Sequence, residues 1–157
     1  MISCQTMVIR RYRQTDLPQI VRLFYDTVHI INASDYTQKQ LDAWATGEAD
    51  MAMWDMTLGA HVTYVVAEED VVLGFGDITA DGYLDRLYVH HEYQRRGIAT
   101  AICQRLESEC GACTLTVHAS ITALPFFRKR GYRLVREQQV ERHGVLLTNF
   151  VMTKALR

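Results

Sequence analysis

A chain of 157 residues, 48% hydrophobic and 22% charged, fits one globular domain large enough to bury its own core. Its formal net charge of -1 excludes a general nucleic-acid binder, which needs a basic surface to displace counterions. No apolar run is long enough to span a bilayer, and Met1-Ile2-Ser3-Cys4 does not open a secretory signal, so the expectation is a cytoplasmic protein with no membrane or nucleic-acid partner.

Met7 opens the first strand-like run, over residues 7–13, which leaves residues 1–6 as an expected flexible tail. A helix over 16–31 follows, capped by Thr15, with Leu17, Ile20, Val21, Phe24, Val28 and Ile31 on one face. After the polar turn Asn32-Ala33-Ser34-Asp35 comes a second helix over 37–45, whereas residues 46–60 read equally as helix or packed loop. A meander is next. Strands over 61–68 and 71–79 are joined by Glu69-Asp70, and Asp81-Gly82 turns the chain into a strand over 83–89. A polar loop leads to a helix ending near Cys110, then a strand over 113–118. A short helix over 122–130 stops at Gly131, with Pro125 either in its first turn or bending it. Strands over 132–138 and 145–152, joined near His143-Gly144, close the chain. The order β-α-α-β-β-β-α-β-α-β-β is an α/β domain with a mixed sheet. No repeat, low-complexity tract or linker divides it, so residues 1–157 read as a single domain.

Of the four cysteines, Cys110 and Cys113 match C-x-x-C. Cys110, however, completes the apolar stripe Ile98, Ile102, Leu106, Cys110, and Gly111 suits a helix C-cap. No second pair or histidine pair completes a metal site, and no metal is expected.

The most informative stretch runs from His90 through Gln94-Arg95-Arg96-Gly97-Ile98-Ala99 to Thr100. First-turn N–H groups have no intrahelical acceptor, and the helix dipole favours an anion there. Gly97 allows close backbone approach or a left-handed turn, and Arg95 and Arg96 supply charge for a phosphate. The loop lacks both a Gly-Lys-Ser/Thr ending and a G-x-G-x-x-G fingerprint.

Leu87-Tyr88-Val89 followed by Gln94-Arg95-Arg96-Gly97-Ile98-Ala99 resembles the cofactor signature Q/R-x-x-G-x-G/A of the GNAT N-acetyltransferases, and the run from Ala119 to Tyr132 is similar to that family's second cofactor segment. The resemblance covers the chain in element order. It implies a mainly antiparallel central sheet flanked by helices, and transfer of an acetyl group from acetyl-CoA to an amine. It further implies that the strand edge at Leu87, Tyr88 and Val89 pairs with pantetheine and that N–H groups from Arg95 through Thr100 hold the pyrophosphate, with Ser120, Phe126 and Phe127 also facing the cofactor. Many relatives carry Asn where Ser120 stands and Tyr where Phe127 stands. Phe127 has no proton for the departing thiolate, which leaves water, Tyr132, Tyr83 or unassisted departure, a thiol of pKa ~8.5 being a tolerable leaving group.

An amine nucleophile must lose a proton, and Asp85 and Asp77 are carboxylates inside apolar strands. A two-residue Asp81-Gly82 turn sets Asp77 opposite Arg86 as an ion pair; a three-residue turn sets it opposite Asp85, where two carboxylates raise an apparent pKa. Asp85 is the first choice of base, with Asp77 and Tyr83 as further catalytic candidates. His90 and His91 belong to the polar loop, and His118 ends a strand beside Ser120. His29, Tyr36 and Trp44 fall where the family binds its acceptor; Tyr36, Trp44 and Trp54 are either an aromatic pocket or core, and His29 is either an acceptor-site group or an ordinary surface or capping histidine. A small aromatic or amphipathic amine, attacked directly with no acyl-cysteine, is the expected acceptor. The alternatives are a non-catalytic acyl-CoA-binding module and an enzyme acting on a protein N-terminus or lysine. A homodimer stays open.

Overall fold

Strand β1 is Met7–Arg11, two residues shorter than the strand-like run, because Asp16 captures the chain beyond it. The Asp16 carboxylate takes both guanidinium nitrogens of Arg10 at 2.8 Å and the N–H of Arg13 at 2.8 Å. That clamp folds residues 14–16 into a 3-10 turn. Helix α1, Leu17–Ile31, therefore starts from Asp16 with Pro18 in its first turn, and Thr15 does not cap it. The computed structural model describes residues 6–156, so the expected tail, Thr6 apart, and Cys4 lie outside the described residues.

Thr37 caps α2, Gln38–Trp44, by accepting from Gln40 N–H while the Gln40 side chain accepts from Thr37 N–H. The ambiguous stretch resolves into α3, Met51–Ala60, capped by Asp50. Met51, Met53 and Met56 face outward there, and Trp54 and Leu58 face the core. Strands β2 (Val62–Glu68), β3 (Val71–Ile78) and β4 (Tyr83–Val89) form the meander. Helix α4 (Ile98–Glu109), β5 (Thr114–Ser120), α5 (Leu124–Lys129), β6 (Arg133–Arg142) and β7 (Val145–Ala155) follow. Pro125 sits in the first turn of α5. Gly131 takes the left-handed conformation expected of a cap; Gly111 does not, and Cys110 itself ends α4 in extended geometry.

The sheet has seven strands in the order β1-β2-β3-β4-β5-β7-β6, all antiparallel except β4 beside β5. Helix α4 covers one face, where Ile98, Ile102 and Leu106 pack on Leu84, Leu115 and Met152. Helices α1 and α3 cover the other, with Leu17, Ile20, Trp54 and Leu58 against Val65 and Phe75. Each fully buried side chain of this size contributes about 1.5–3 kcal/mol. Cys103 and Cys110 are buried free thiols, and Cys113 is an exposed one. No helix among the described residues is long and apolar enough to cross a membrane.

Candidate active site

The site begins where the sheet splits. Strands β4 and β5 pair only at Tyr83–Thr116 and Leu84–Val117, then part. Along β4, His90 N–H donates to Leu73 O at 2.8 Å, which fixes the alternation of the β3–β4 ladder. The N–H and C=O groups of Leu87 and Val89 consequently point away from β3, into the fork. Val89 O is taken by Thr27 Oγ1 at 3.0 Å and Gln94 Nε2 at 2.8 Å. Val89 N–H and both Leu87 groups remain for an extended, amide-bearing ligand.

At the wide end of the fork the chain makes an anion cradle. Arg95 and Gly97 both have positive φ, 62° and 78°, an alternation that turns successive N–H groups to one side. The first bond of α4 runs from Ala101 N–H to Gly97 O, so the N–H groups of Ile98, Ala99 and Thr100 have no acceptor within the helix. Arg95, Arg96 and Gly97 are exposed, and a Cβ on Gly97 would meet nothing within 4 Å. Gln94 turns inward to brace the loop on the Val89 and His90 carbonyls, and Arg96 lies 4.9 Å over the Tyr93 ring.

Between the strands a cleft of about 230 Å³ runs from Gln94 and Ala99 past Leu87 and Val89 to Ser120, walled by Phe126 and Phe127. The Ser120 hydroxyl accepts from Ala123 N–H at 3.0 Å. Phe127 is 3% exposed, so its ring fills core as well as wall. Tyr132 donates its hydroxyl to Glu107 at 3.0 Å and lines neither part of the cleft, which removes it from the thiolate.

The cleft continues into a second chamber of about 170 Å³, the two meeting at Trp44, Asp85, Tyr88, His118 and Ser120. Tyr36 and Tyr83 wall this chamber. Tyr36 is held rigidly, donating to Thr148 O at 2.6 Å and accepting from Ile121 N–H at 2.9 Å, with Trp44 edge-on at 5.3 Å. Burial, with some push from Asp85, holds the Tyr83 phenol above its usual pKa. Burial, helped by Arg136 and Arg142, pulls His118 below the usual histidine value, and Asp85 opposes this. His29 lies elsewhere: its Nε2 is 2.8 Å from Ala45 O and its ring stacks on Tyr25, outside both chambers. Trp54 is core, with the Arg86 guanidinium 4.5 Å over its ring.

The two carboxylates take an arrangement that combines both expected registers. The turn is the three-residue one, with Thr79 N–H donating to Tyr83 O at 2.9 Å. A β-bulge at Asp85 then shifts the ladder, so that Asp77 still pairs with Arg86. Asp77 is fully buried, 2.8 Å from His61 Nδ1 and 3.2 Å from Arg86 Nη1, and its Oδ1 has no partner. Burial pushes its pKa up to about 6, against the pull of Arg86 and His61. Asp85 lies on the cleft side of the bulge, one of its oxygens 3.8 Å from Arg86 Nη2. His61, Asp77 and Asp85 bring ligand atoms within 4.8 Å of one another, and Arg86 already supplies the cation for both carboxylates.

Arg142 and Asn149 also line the second chamber, and sequence reasoning singled out neither. Both lie on the last hairpin, whose approach to β4 is a tertiary event without local signal.

A family model described as an acetyltransferase (GNAT) domain matches residues 32–154. The chain is 37% identical over 147 residues, 92% of its length and 93% of the relative's, to the uncharacterized N-acetyltransferase YafP of Escherichia coli K12. Its fold superposes with a TM-score of 0.91 and 32% identity, over 99% of each chain, on a GCN5-related N-acetyltransferase of Rhodopseudomonas palustris. A PaiA N-acetyltransferase of Thermoplasma acidophilum, solved in complex with coenzyme A, shares the fold at a TM-score of 0.77 and 15% identity, over 96% of this chain and 99% of that one.

Proposed function

The chain belongs to the GNAT family of acetyltransferases, and from that premise we propose that it moves an acetyl group from acetyl-CoA to the amine of a small aromatic or amphipathic acceptor. The observation that carries the reading is the continuity of the cleft: an amide cradle at Gly97, unpaired Leu87 and Val89 backbone along the fork, and a second chamber beyond Asp85. The first part suits a diphosphate with a peptide-like arm. The second suits an acceptor that meets the arm's end.

The residues divide the work as follows. N–H groups from Arg95 through Thr100 bind the pyrophosphate, and Leu87 holds the pantetheine amides. Tyr88 closes the α1 side of the fork, and Ser120, Phe126 and Phe127 the other. Val89 N–H faces the carbonyl oxygen that gains charge during attack. Asp85 receives the proton of the amine. His118, kept neutral by burial and by Arg136 and Arg142, is the second group at that junction able to take it. Tyr83 keeps its proton at neutrality and is the donor to the departing thiolate, the role that Phe127 cannot fill. Attack is direct, because the described cysteines line neither chamber.

Acetyl-CoA titration and thiol release over an amine panel test this together. Gly97→Glu keeps an open position but adds a like charge and a strained φ, and should lower acetyl-CoA affinity at least a hundredfold. Asp85→Asn should cut kcat at least tenfold and leave acetyl-CoA affinity within twofold. Unchanged affinity in the glycine variant sinks the cradle assignment. Tight cofactor binding without turnover on any amine would instead identify a binding module.

A further inference from the structure

The second chamber has two charged ends. Asp85 is its one lining carboxylate and Arg142 its one lining guanidinium, and the two form no ion pair with each other. Arg142 is an exposed residue at the end of β6; its guanidinium donates to the adjacent Glu141 O at 3.0 Å and has no carboxylate within ion-pair distance among the described residues. Its charge reaches inward all the same: it opposes the rise that burial and Asp85 give Tyr83, and adds to the fall that burial and Arg136 give His118. Between the ends are the rings of Tyr36, Trp44 and Tyr83, and Asn149, whose Oδ1 is buried with no donor. The chamber offers about 170 Å³ between these walls.

We infer that the acceptor is a small aminocarboxylate, held by its carboxylate on Arg142 and by its amine at Asp85. This rests on the acetyl-transfer reading above and names its substrate class. A guanidinium fork matches a carboxylate bidentately, and a lone Arg facing a pocket is a selective anchor for one. The amine enters as an ammonium ion beside Asp85, which takes its first proton and passes it to solvent. The free amine attacks the thioester carbonyl, the C–N bond forms and the C–S bond breaks. The second nitrogen proton passes to Tyr83 as Tyr83 gives its own to the thiolate, so the products are the N-acetyl acid, the thiol and the one proton that Asp85 passed to solvent. Asn149 Oδ1 is the acceptor for a remaining N–H of the substrate.

Matched sets test this: phenylalanine, phenylalaninamide and phenethylamine, and the same three compounds built on leucine. With acetyl-CoA binding measured first, the free acids should exceed the amides and amines at least tenfold in kcat/KM. Arg142→Gln should bring the acid-to-amide ratio near one through the KM of the acid, and Arg142→Lys should restore part of it. Equal or better turnover of the compounds without a carboxylate overturns the inference and leaves acetyl transfer standing. A preference that survives Arg142→Gln does the same, and bound acetyl-CoA with no turnover in either set also overturns the inference. Failure to bind acetyl-CoA at all removes the underlying reading instead.

Discussion

Asp77 is the residue whose ionisation most shapes this site. It is fully buried, keeps one oxygen unpartnered, and has its pKa pushed up to about 6 by burial. In the unfolded chain the same group titrates near ~3.9. Between those values the folded state binds a proton that the unfolded state does not, so stability falls as pH rises from about 4 through 6. The full effect is on the order of 3 kcal/mol, present as a cost above the folded pKa and absent below the unfolded one. Asp77→Asn should remove that slope. Thermal unfolding should therefore give a melting temperature for the wild type, relative to the variant, that declines between pH 4.5 and pH 7. A constant difference across that window would mean that Asp77 is ionised throughout, as a plain partner of Arg86. The same titration bears on catalysis, because a neutral Asp77 leaves the Arg86 charge to Asp85 alone.

Helix α4 carries the cradle, and two glycines on β3 set how closely it lies. A Cβ on Gly76 would sit 2.9 Å from Ile102 Cγ2, 3.0 Å from Arg86 O and 3.1 Å from Leu87 Cδ1. Gly76→Val thus pushes on α4 and on the β4 backbone at once, and overpacking of this kind costs about 1–3 kcal/mol. Urea unfolding should register that loss, with weaker acetyl-CoA binding because Leu87 shifts; full stability would show that α4 has slack. The Gly97 loop was legible because its chemistry is local: a glycine, two arginines and a helix start lie within a few residues. The meander strands were legible from alternation. Helix α3 was not, since Met51, Met53 and Met56 face solvent and only Trp54 and Leu58 mark the inner side; Asp50 as its cap was the readable sign. The bulge at Asp85 was unreadable for a different reason. It falls one residue past Leu84, the last position of β4 that pairs with β5, at a junction with a strand distant in sequence.

The whole molecule is two sheet halves that share a short seam, since β4 and β5 pair over only two residue pairs before the fork opens. What keeps the fork at one width must come from outside the sheet. On one face Tyr36 ties the start of α2 to Ile121 and Thr148, and the Asn32, Thr122 and Asp35 side chains form a hydrogen-bonded chain beside it. On the other face the clamp is Glu107 of α4, which takes Arg130 at 2.7 Å, Tyr132 at 3.0 Å and Lys154 of β7 at 3.3 Å. Glu107 thereby joins the helix that follows β4 to the half that holds β5, β7 and β6. Arg130 is largely buried and its Nε has no partner, so losing Glu107 would leave that cation uncompensated. Removing one partner of such a buried pair costs about 3–5 kcal/mol. Glu107→Ala should show that loss in urea unfolding. In the fraction that stays folded, acetyl-CoA should bind several-fold more weakly, although Glu107 lines no part of the cleft. Glu107→Gln, which keeps hydrogen bonds to Arg130 and Tyr132 without the charge, should recover much of the affinity and less of the stability. Normal cofactor affinity in a folded Glu107→Ala protein would mean that the seam and the Tyr36 tie hold the fork by themselves.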